Sequence, residues 1–239
     1  MATGVVAALE AEARTLGKAV RRSDGLSSLS DGALLAVSGM GCVLAGIAAR
    51  QLVEAGASAL LSFGLAGALD PRLHAGTVVL PSDIISPSGT RFATSADWRG
   101  QLLAALGRQW PTVSGALLTS ATPIEGILEK AAAFRATGAA AVDMESLSVA
   151  EVAAAQGLPF IAVRVIVDTA TDVLPAAVMA ASRAGQISLT RLIGGLASAP
   201  WELPAVLRLA QRYRAAARSL RAVARAGLST PTGAAASVA

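Results

Sequence analysis

Aromatic side chains are almost missing from this chain: Phe, Trp and Tyr make up 3% of 239 residues, although 54% of the residues are hydrophobic. Any core must therefore be built from Ala, Val, Leu and Ile. Nucleic-acid binding is disfavoured by the same scarcity and by an acidic main body. The single cysteine, Cys42, excludes an intrachain disulfide and fits a reducing compartment. The single histidine, His74, falls on a turn and receives no role. No His/Cys/Asp cluster has metal-ligand spacing, and no nucleophile elbow, GxGxxG or Walker loop occurs. The N-terminal stretch "MATGVVAALEAEAR" lacks a basic region before its apolar residues and meets Glu10 and Glu12 early. A cleaved signal peptide is not expected, and the expected location is cytoplasmic.

Long hydrophobic runs are also lacking. The longest uncharged stretch, Gly32 to Ala49, is 18 residues, the lower limit for a membrane span, and four glycines interrupt it. It reads instead as a strand, a turn and an amphipathic helix. Acidic residues are scarce at one end. Residues 176–239 hold eight Arg and one Glu, a net of +7, whereas residues 1–175 hold 12 basic and 15 acidic residues, a net of −3. The formal total of +4 thus arises in the C-terminal quarter.

What is present is an alternation of short apolar runs with helical stretches. Strands are expected at Thr3–Leu9, Ala33–Val37, Ala59–Gly64, Thr77–Ile85, Ala116–Ser120, Ala139–Asp143 and Pro159–Asp168. Helices are expected from about Ala11, then at Cys42–Ala55, Asp97–Trp110, Ile124–Thr137, Ser146–Gln156, near Pro175–Leu196, and at Leu203–Ala226. Apolar strands separated by helices predict one α/β domain with a three-layer α/β/α arrangement and a mixed, mainly parallel sheet. The expected division is a catalytic domain over 1–200, a basic amphipathic helix over 201–226 packed on it or extending from it, and a disordered tail over 227–239.

Sites in such sheets lie beyond the carboxyl ends of the strands. Three strand ends here carry acids: "VVAAL" runs into Glu10 and Glu12, "AAAV" into Asp143 and Glu145, and "FIAVRVIV" into Asp168. One such acid is most often a helix N-cap or first-turn residue. Three converging on one edge point to a site. If the strand continues through "VDMES", Asp143 and Glu145 share one face and Met144 takes the other. Arg164, inside a strand, is expected to pair with a buried carboxylate. "SGMGC" and "FGLAGAL" read as glycine-rich turns, each a weak anion-binding signal beside the reading of tight strand–helix packing.

Taken in order, "AALEAEA", "SGMG", "GLAGAL", "VDMES" and "RVIVDTA" resemble the methylthioadenosine/S-adenosylhomocysteine nucleosidases and the wider purine nucleoside phosphorylase superfamily, over residues 3 to 170. The resemblance implies cleavage of an N-glycosidic bond. Glu12 would activate the attacking water. Glu145, with Asp143 in support, would bind the ribose hydroxyls above Met144. Asp168 would be the acid at purine N7, and Met40, Ala66 and Gly67 would line the sugar and base pocket. It implies no cofactor, with inorganic phosphate as an optional co-substrate, and a homodimer.

Departures from that pattern narrow the substrate. Leu65 and Val167 stand where relatives often have hydroxyl residues, and "SATPIEG" lacks the Phe that many nucleosidases place against the purine. A greasier, less stacked pocket is expected. "DTATDVLP" and the C-terminal helix resemble the hopanoid-associated branch, which implies a lipid-linked nucleoside, adenosylhopane, as substrate. In that helix Leu203, Val206, Ala210, Tyr213, Ala217 and Leu220 recur at helical spacing among six arginines. Such a helix suits an anionic membrane surface, which would make the protein peripheral at the inner membrane face, or it packs on the domain and leaves its arginines in water. A non-catalytic membrane-binding module is the alternative of another class.

Overall fold

Val5, Val6 and Ala7 are all buried, because strand β1 (Ala2–Ala7) is covered on both faces. Val6 joins Leu34, Ala36 and Leu60 in a layer closed by Ala45, Ala48, Ala49 and Leu52 of α2 (Cys42–Glu54) and Val149 and Val152 of α5 (Ser146–Ala155). Val5 and Ala7 join Leu35, Leu61 and Phe63 against Trp98 and Leu102 of α3 (Ala96–Leu106) and Ala216, Leu220 and Val223 of α6 (Leu203–Ala226). Each fully buried Leu, Ile or Val contributes about 1.5–3 kcal/mol, so these small apolar residues suffice without aromatics. The computed structural model describes residues 2–172, 182–183, 186–187 and 203–228. The helix expected near Pro175–Leu196, the domain boundary at residue 200 and the tail beyond residue 228 lie outside the described residues.

The sheet is mixed and mainly parallel. β5 (Ala57–Ala68) pairs in parallel with β1 on one edge and with β12 (Phe160–Asp168) on the other, and β4 (Leu34–Val37) continues the parallel run beyond β1. β11 (Ala141–Asp143) meets the far end of β5 antiparallel and passes the sheet on to β10 (Ala116–Thr119) and β7 (Asp83–Ile85), both parallel. A hairpin of β2 (Ala19–Arg21) and β3 (Ser27–Leu29) extends the β4 edge. This is the expected single-domain, three-layer arrangement.

Several boundaries differ from the sequence reading, each for a physical reason. "FGLAGAL" is not a turn; it continues β5 to Ala68. The expected Thr77–Ile85 strand is two strands, β6 (Val78–Val79) and β7, because Pro81 offers no N–H to a ladder. On one edge Val78 N, Leu80 N and Ser82 N donate in unbroken step to Pro111 O, Val113 O and Gly115 O alongside β9 (Thr112–Val113), so it is the β12 edge that the chain leaves at the proline. β7 next turns back into β8 (Arg91–Ala93), an antiparallel hairpin that the sequence reading did not separate. The first helix, α1 (Glu10–Ala13), is a single turn, and α4 (Ile127–Thr137) starts only after Gly126.

The C-terminal helix packs on the domain. Ala216, Ala217, Ser219, Leu220 and Val223 are buried, and Ser219 Oγ donates to Gly76 O at 2.7 Å. Ala217 and Leu220, two of the residues expected to face a membrane, thus belong to the body of the protein. Arg208, Arg214, Arg218, Arg221 and Arg225 stay exposed. Among the described residues no helix is long and apolar enough to cross a membrane.

Candidate active site

Arg164 lies inside β12 and is 2% exposed. A cation so deep needs a carboxylate and a full set of acceptors. Asp143 supplies the carboxylate: its Oδ2 accepts from Arg164 Nε at 2.8 Å and lies 2.7 Å from Nη2. Nη2 also donates to Ser62 Oγ at 2.7 Å, and Ser146 Oγ donates to the same hydroxyl at 3.1 Å. Asp143 takes further bonds from Ser146 N at 3.0 Å and Thr119 Oγ1 at 2.7 Å. Burial by itself would lower the guanidinium pKa, but Asp143 first, then Glu145 and Glu12, outweigh it and hold it above its ordinary value.

Around this cation stand two acids with different supports. Glu145 occupies the N-cap position of α5, where β11 has already ended, so the two acids of "VDMES" are not alternating residues of one strand. Asp143 faces Arg164, while Glu145 Oε1 accepts from Gly41 N at 2.8 Å and its Oε2 lies 4.0 Å from Arg164 Nη2. Burial, followed by the charge of Asp143, pushes the Glu145 carboxyl above the usual carboxylate range, against the opposing pull of Arg164 and the Gly41 N–H. Glu12 reaches in from α1. Its Oε2 accepts from Ala8 N and Leu9 N, both at 3.0 Å, and its Oε1 from Leu65 N at 2.8 Å. Burial raises its pKa too, with Arg164 the strongest opposing influence.

β5 brings these groups together because two of its residues have no side chain. A Cβ on Gly64 would stand 2.6 Å from Glu12 Oε1 and 3.0 Å from Arg164 Nη1. One on Gly67 would stand 3.1 Å and 3.2 Å from the two Asp168 oxygens. Gly64 and Arg164 are register partners, as are Gly67 and Asp168. The glycines of "FGLAGAL" thus serve close approach of carboxylates inside a strand.

Asp168, at the end of β12, has a buried cation for a partner. Lys130 Nζ, from α4, donates to its Oδ2 at 2.5 Å. That lysine is 1% exposed and was missed, although only Lys18 and Lys130 are lysines among 20 basic residues. Its rarity was the available signal. Ser62 and Thr119, which complete the Arg164–Asp143 network, carried no signal.

Of the other expected site residues, Met144 is half-buried between the two acids, and Met40, in the loop before α2, is 43% exposed. Ala66 is buried in the α2–α5 layer. Leu65 and Val167 pack against the opposite, α3–α6 layer, so their apolar side chains do not by themselves make the site greasy. Among the described residues no group of His, Cys, Asp and Glu could hold a metal ion.

The family model described as the phosphorylase superfamily matches residues 28–194, a segment that holds Glu145, Arg164 and Asp168. The chain belongs to the phosphorylase superfamily. It is an enzyme of the class that cleaves N-glycosidic bonds. Solved structures agree on the fold of this superfamily member. S-adenosylhomocysteine nucleosidase from Streptococcus pyogenes, in complex with 5-methylthiotubericidin, is 23% identical over 71% of this chain and 84% of its own, with a TM-score of 0.64. The methylthioadenosine/S-adenosylhomocysteine nucleosidase from Neisseria meningitidis is 20% identical over 94% of this chain and 97% of its own, with a TM-score of 0.69. Futalosine hydrolase from Helicobacter pylori is 16% identical over 94% of this chain and 97% of its own, with a TM-score of 0.67. A search of curated proteins finds no match to this chain.

Proposed function

We propose that this protein hydrolyses the N-glycosidic bond of an adenine nucleoside carrying a large apolar group on its 5′ side, with adenosylhopane as the substrate. Glu145 holds the ribose hydroxyls, Met144 lies under the sugar, and Met40 and Gly67 border sugar and base. As the bond to the base breaks, the sugar takes on oxocarbenium character, which the neighbouring carboxylates stabilise. Glu12 takes a proton from the attacking water, and Asp168 donates one to purine N7. General acid–base help of this kind contributes typically 10²–10⁴-fold.

One observation carries the apolar 5′ group. The loop that holds Glu145 through Gly41 N carries Met40 and continues into the first turns of α2 with Val43, Leu44 and Ile47, all four apolar and 42–76% exposed. A substituent leaving the ribose on that side meets this surface. Water is preferred over phosphate because Arg164, the one buried arginine among the described residues, is engaged by Asp143 and Ser62. Product analysis from adenosylhopane, with and without phosphate, tests the reading. Adenine and free ribosyl product in both reactions is expected. A phosphate requirement would replace hydrolysis by phosphorolysis, and preference for methylthioadenosine would remove the lipid.

A homodimer is the competing use of the same apolar surface. Sedimentation of wild type beside Val43→Glu distinguishes the two: a dimer that dissociates assigns the surface to a second copy. The exposed arginines of α6 support contact with an anionic membrane through charge. Roughly 1 kcal/mol per basic residue is expected near such a surface. Because the C-terminal half of α6 packs in the core, the test is flotation on anionic vesicles of Arg214→Ser/Arg218→Ser/Arg221→Ser. Truncation of the helix would remove core residues.

A further inference from the structure

Two cations are buried in the described part of the chain, and they differ in one respect. Arg164 and its partner Asp143 are both sealed, with side chains 3% and 0% exposed. Lys130 is as deeply buried, but its partner Asp168 is 16% exposed. The first pair is internal structure. The second ends on an acid that looks outward.

The donors of Lys130 are all turned to one place. Nζ donates to Asp168 Oδ2 at 2.5 Å, to Thr169 O at 2.9 Å and to Asp172 O at 3.4 Å, so one ammonium holds the strand end and the turn that follows. That turn is braced from its other side. Thr169 N donates to Asp172 Oδ2 at 2.8 Å, and Arg212 of α6 reaches the same oxygen at 2.5 Å. Gly67 leaves the space into which the Asp168 carboxyl fits. Among the described residues no hydrogen bond is donated to Asp168 Oδ1. One oxygen is fixed by Lys130, and the other has no donor among the described residues.

We propose that Lys130 is a positioning residue for the acid: it holds Asp168 by Oδ2, presents Oδ1 to the leaving base, and stabilises the carboxylate that forms there. The inference rests on the reading of Asp168 as the proton donor. When the C1′–N9 bond breaks, its electron pair goes to the purine and the Asp168 proton goes to N7. The oxygen of water bonds to C1′, and its released proton goes to Glu12. Asp168 is then a carboxylate, and Glu12 returns the proton balance through solvent. An ion pair is stronger with that carboxylate than with the neutral acid, so the ammonium stabilises the charge that develops during bond cleavage. A lysine suits this task as a compact point charge, whereas an arginine would offer a planar fork.

The experiment compares two leaving groups in full-length protein. One substrate is the adenine nucleoside that wild type cleaves best. The other is 4-nitrophenyl β-D-riboside, whose leaving group departs without a proton. Lys130→Met is expected to lose on the order of 10²-fold in kcat on the adenine nucleoside, with KM changed little and the nitrophenyl reaction within a few-fold of wild type. Asp168→Asn should show the same selective loss, and the double variant should be no worse than either single one. Activity on the nitrophenyl substrate also reports folding. If Lys130→Met fails to fold, Lys130→Gln, which keeps hydrogen-bonding groups but removes the charge, gives the same comparison. Equal losses on both substrates, or no loss on adenine release, would overturn the role of Lys130 even where Asp168→Asn keeps its selective loss. Adenine release intact in Asp168→Asn would overturn the assignment of the acid, and the inference with it.

Discussion

Glu145 Oε1 accepts the Gly41 N–H at 2.8 Å, a bond between residues 104 apart in the chain. It ties the N-terminus of α5 to the loop that opens α2, and these two helices form one layer over the sheet. The Glu145 carboxyl and the apolar surface beside it are therefore set by one contact.

Replacing that acid separates charge from shape. Glu145→Gln keeps an acceptor for Gly41 N but removes the negative charge. Hydrogen bonds to charged groups are worth about 1.5–3 kcal/mol, so kcat/KM should fall roughly 10- to 150-fold. Because burial and Asp143 make the Glu145 charge costly, thermal stability should hold or rise. Kinetics and melting measured on the same preparation check both halves.

Gly64→Ala should be far more damaging than Gly67→Ala. The added methyl on Gly64 would be 2.6 Å from Glu12 Oε1, closer than any real contact, whereas on Gly67 the nearest atom is 3.1 Å away. Overpacking of this kind costs about 1–3 kcal/mol. Since it displaces Glu12, activity should fall by more than stability predicts. Urea unfolding beside initial rates tests the order.

The Arg164–Asp143 pair should behave as a unit. Removing one member leaves an uncompensated buried charge and costs about 3–5 kcal/mol. Arg164→Met and Asp143→Leu should each destabilise by that amount, and the double variant by less than their sum. Additive losses in a denaturation cycle would contradict the geometry.

The pH dependence follows from Glu12. Its carboxyl is raised above the ordinary value of 4.5, chiefly by burial. In its proposed role as the base it must be ionised, so the acidic limb of kcat/KM should lie above the usual carboxylate range. For stability the sign is the reverse. The native state holds this proton more tightly than the unfolded chain, so its contribution is fully present below pH 4.5 and is lost as pH rises through the folded value. Glu12→Gln should lose hydrolysis and show a flatter stability profile across that window, measured by denaturation at several pH values.

Much of this was legible before any coordinates. Apolar runs with helical stretches between them implied a covered, mainly parallel sheet, and the acids at three strand ends implied a site at one edge. The glycines of "FGLAGAL" were visible but read as a turn. A strand that needs glycine for the approach of a carboxylate has the same local sequence as a loop. Pro81 was visible too, yet the change of partner it forces depends on which strands lie alongside.

By itself the sequence determined the layers, the burial of β1, β5 and β12, and the positions of Glu12, Asp143, Glu145 and Asp168 along the chain. Those follow from local periodicity and from the cost of burying charge. Only the tertiary structure decided the partners: Asp143 to Arg164, Glu145 to Gly41, Glu12 to Leu65 N, and Asp168 to Lys130. It also placed half of α6 in the core. A charge declares in sequence that it needs a partner, but hydrogen bonds span only about 3 Å, and which residues come that close is settled by packing between distant segments.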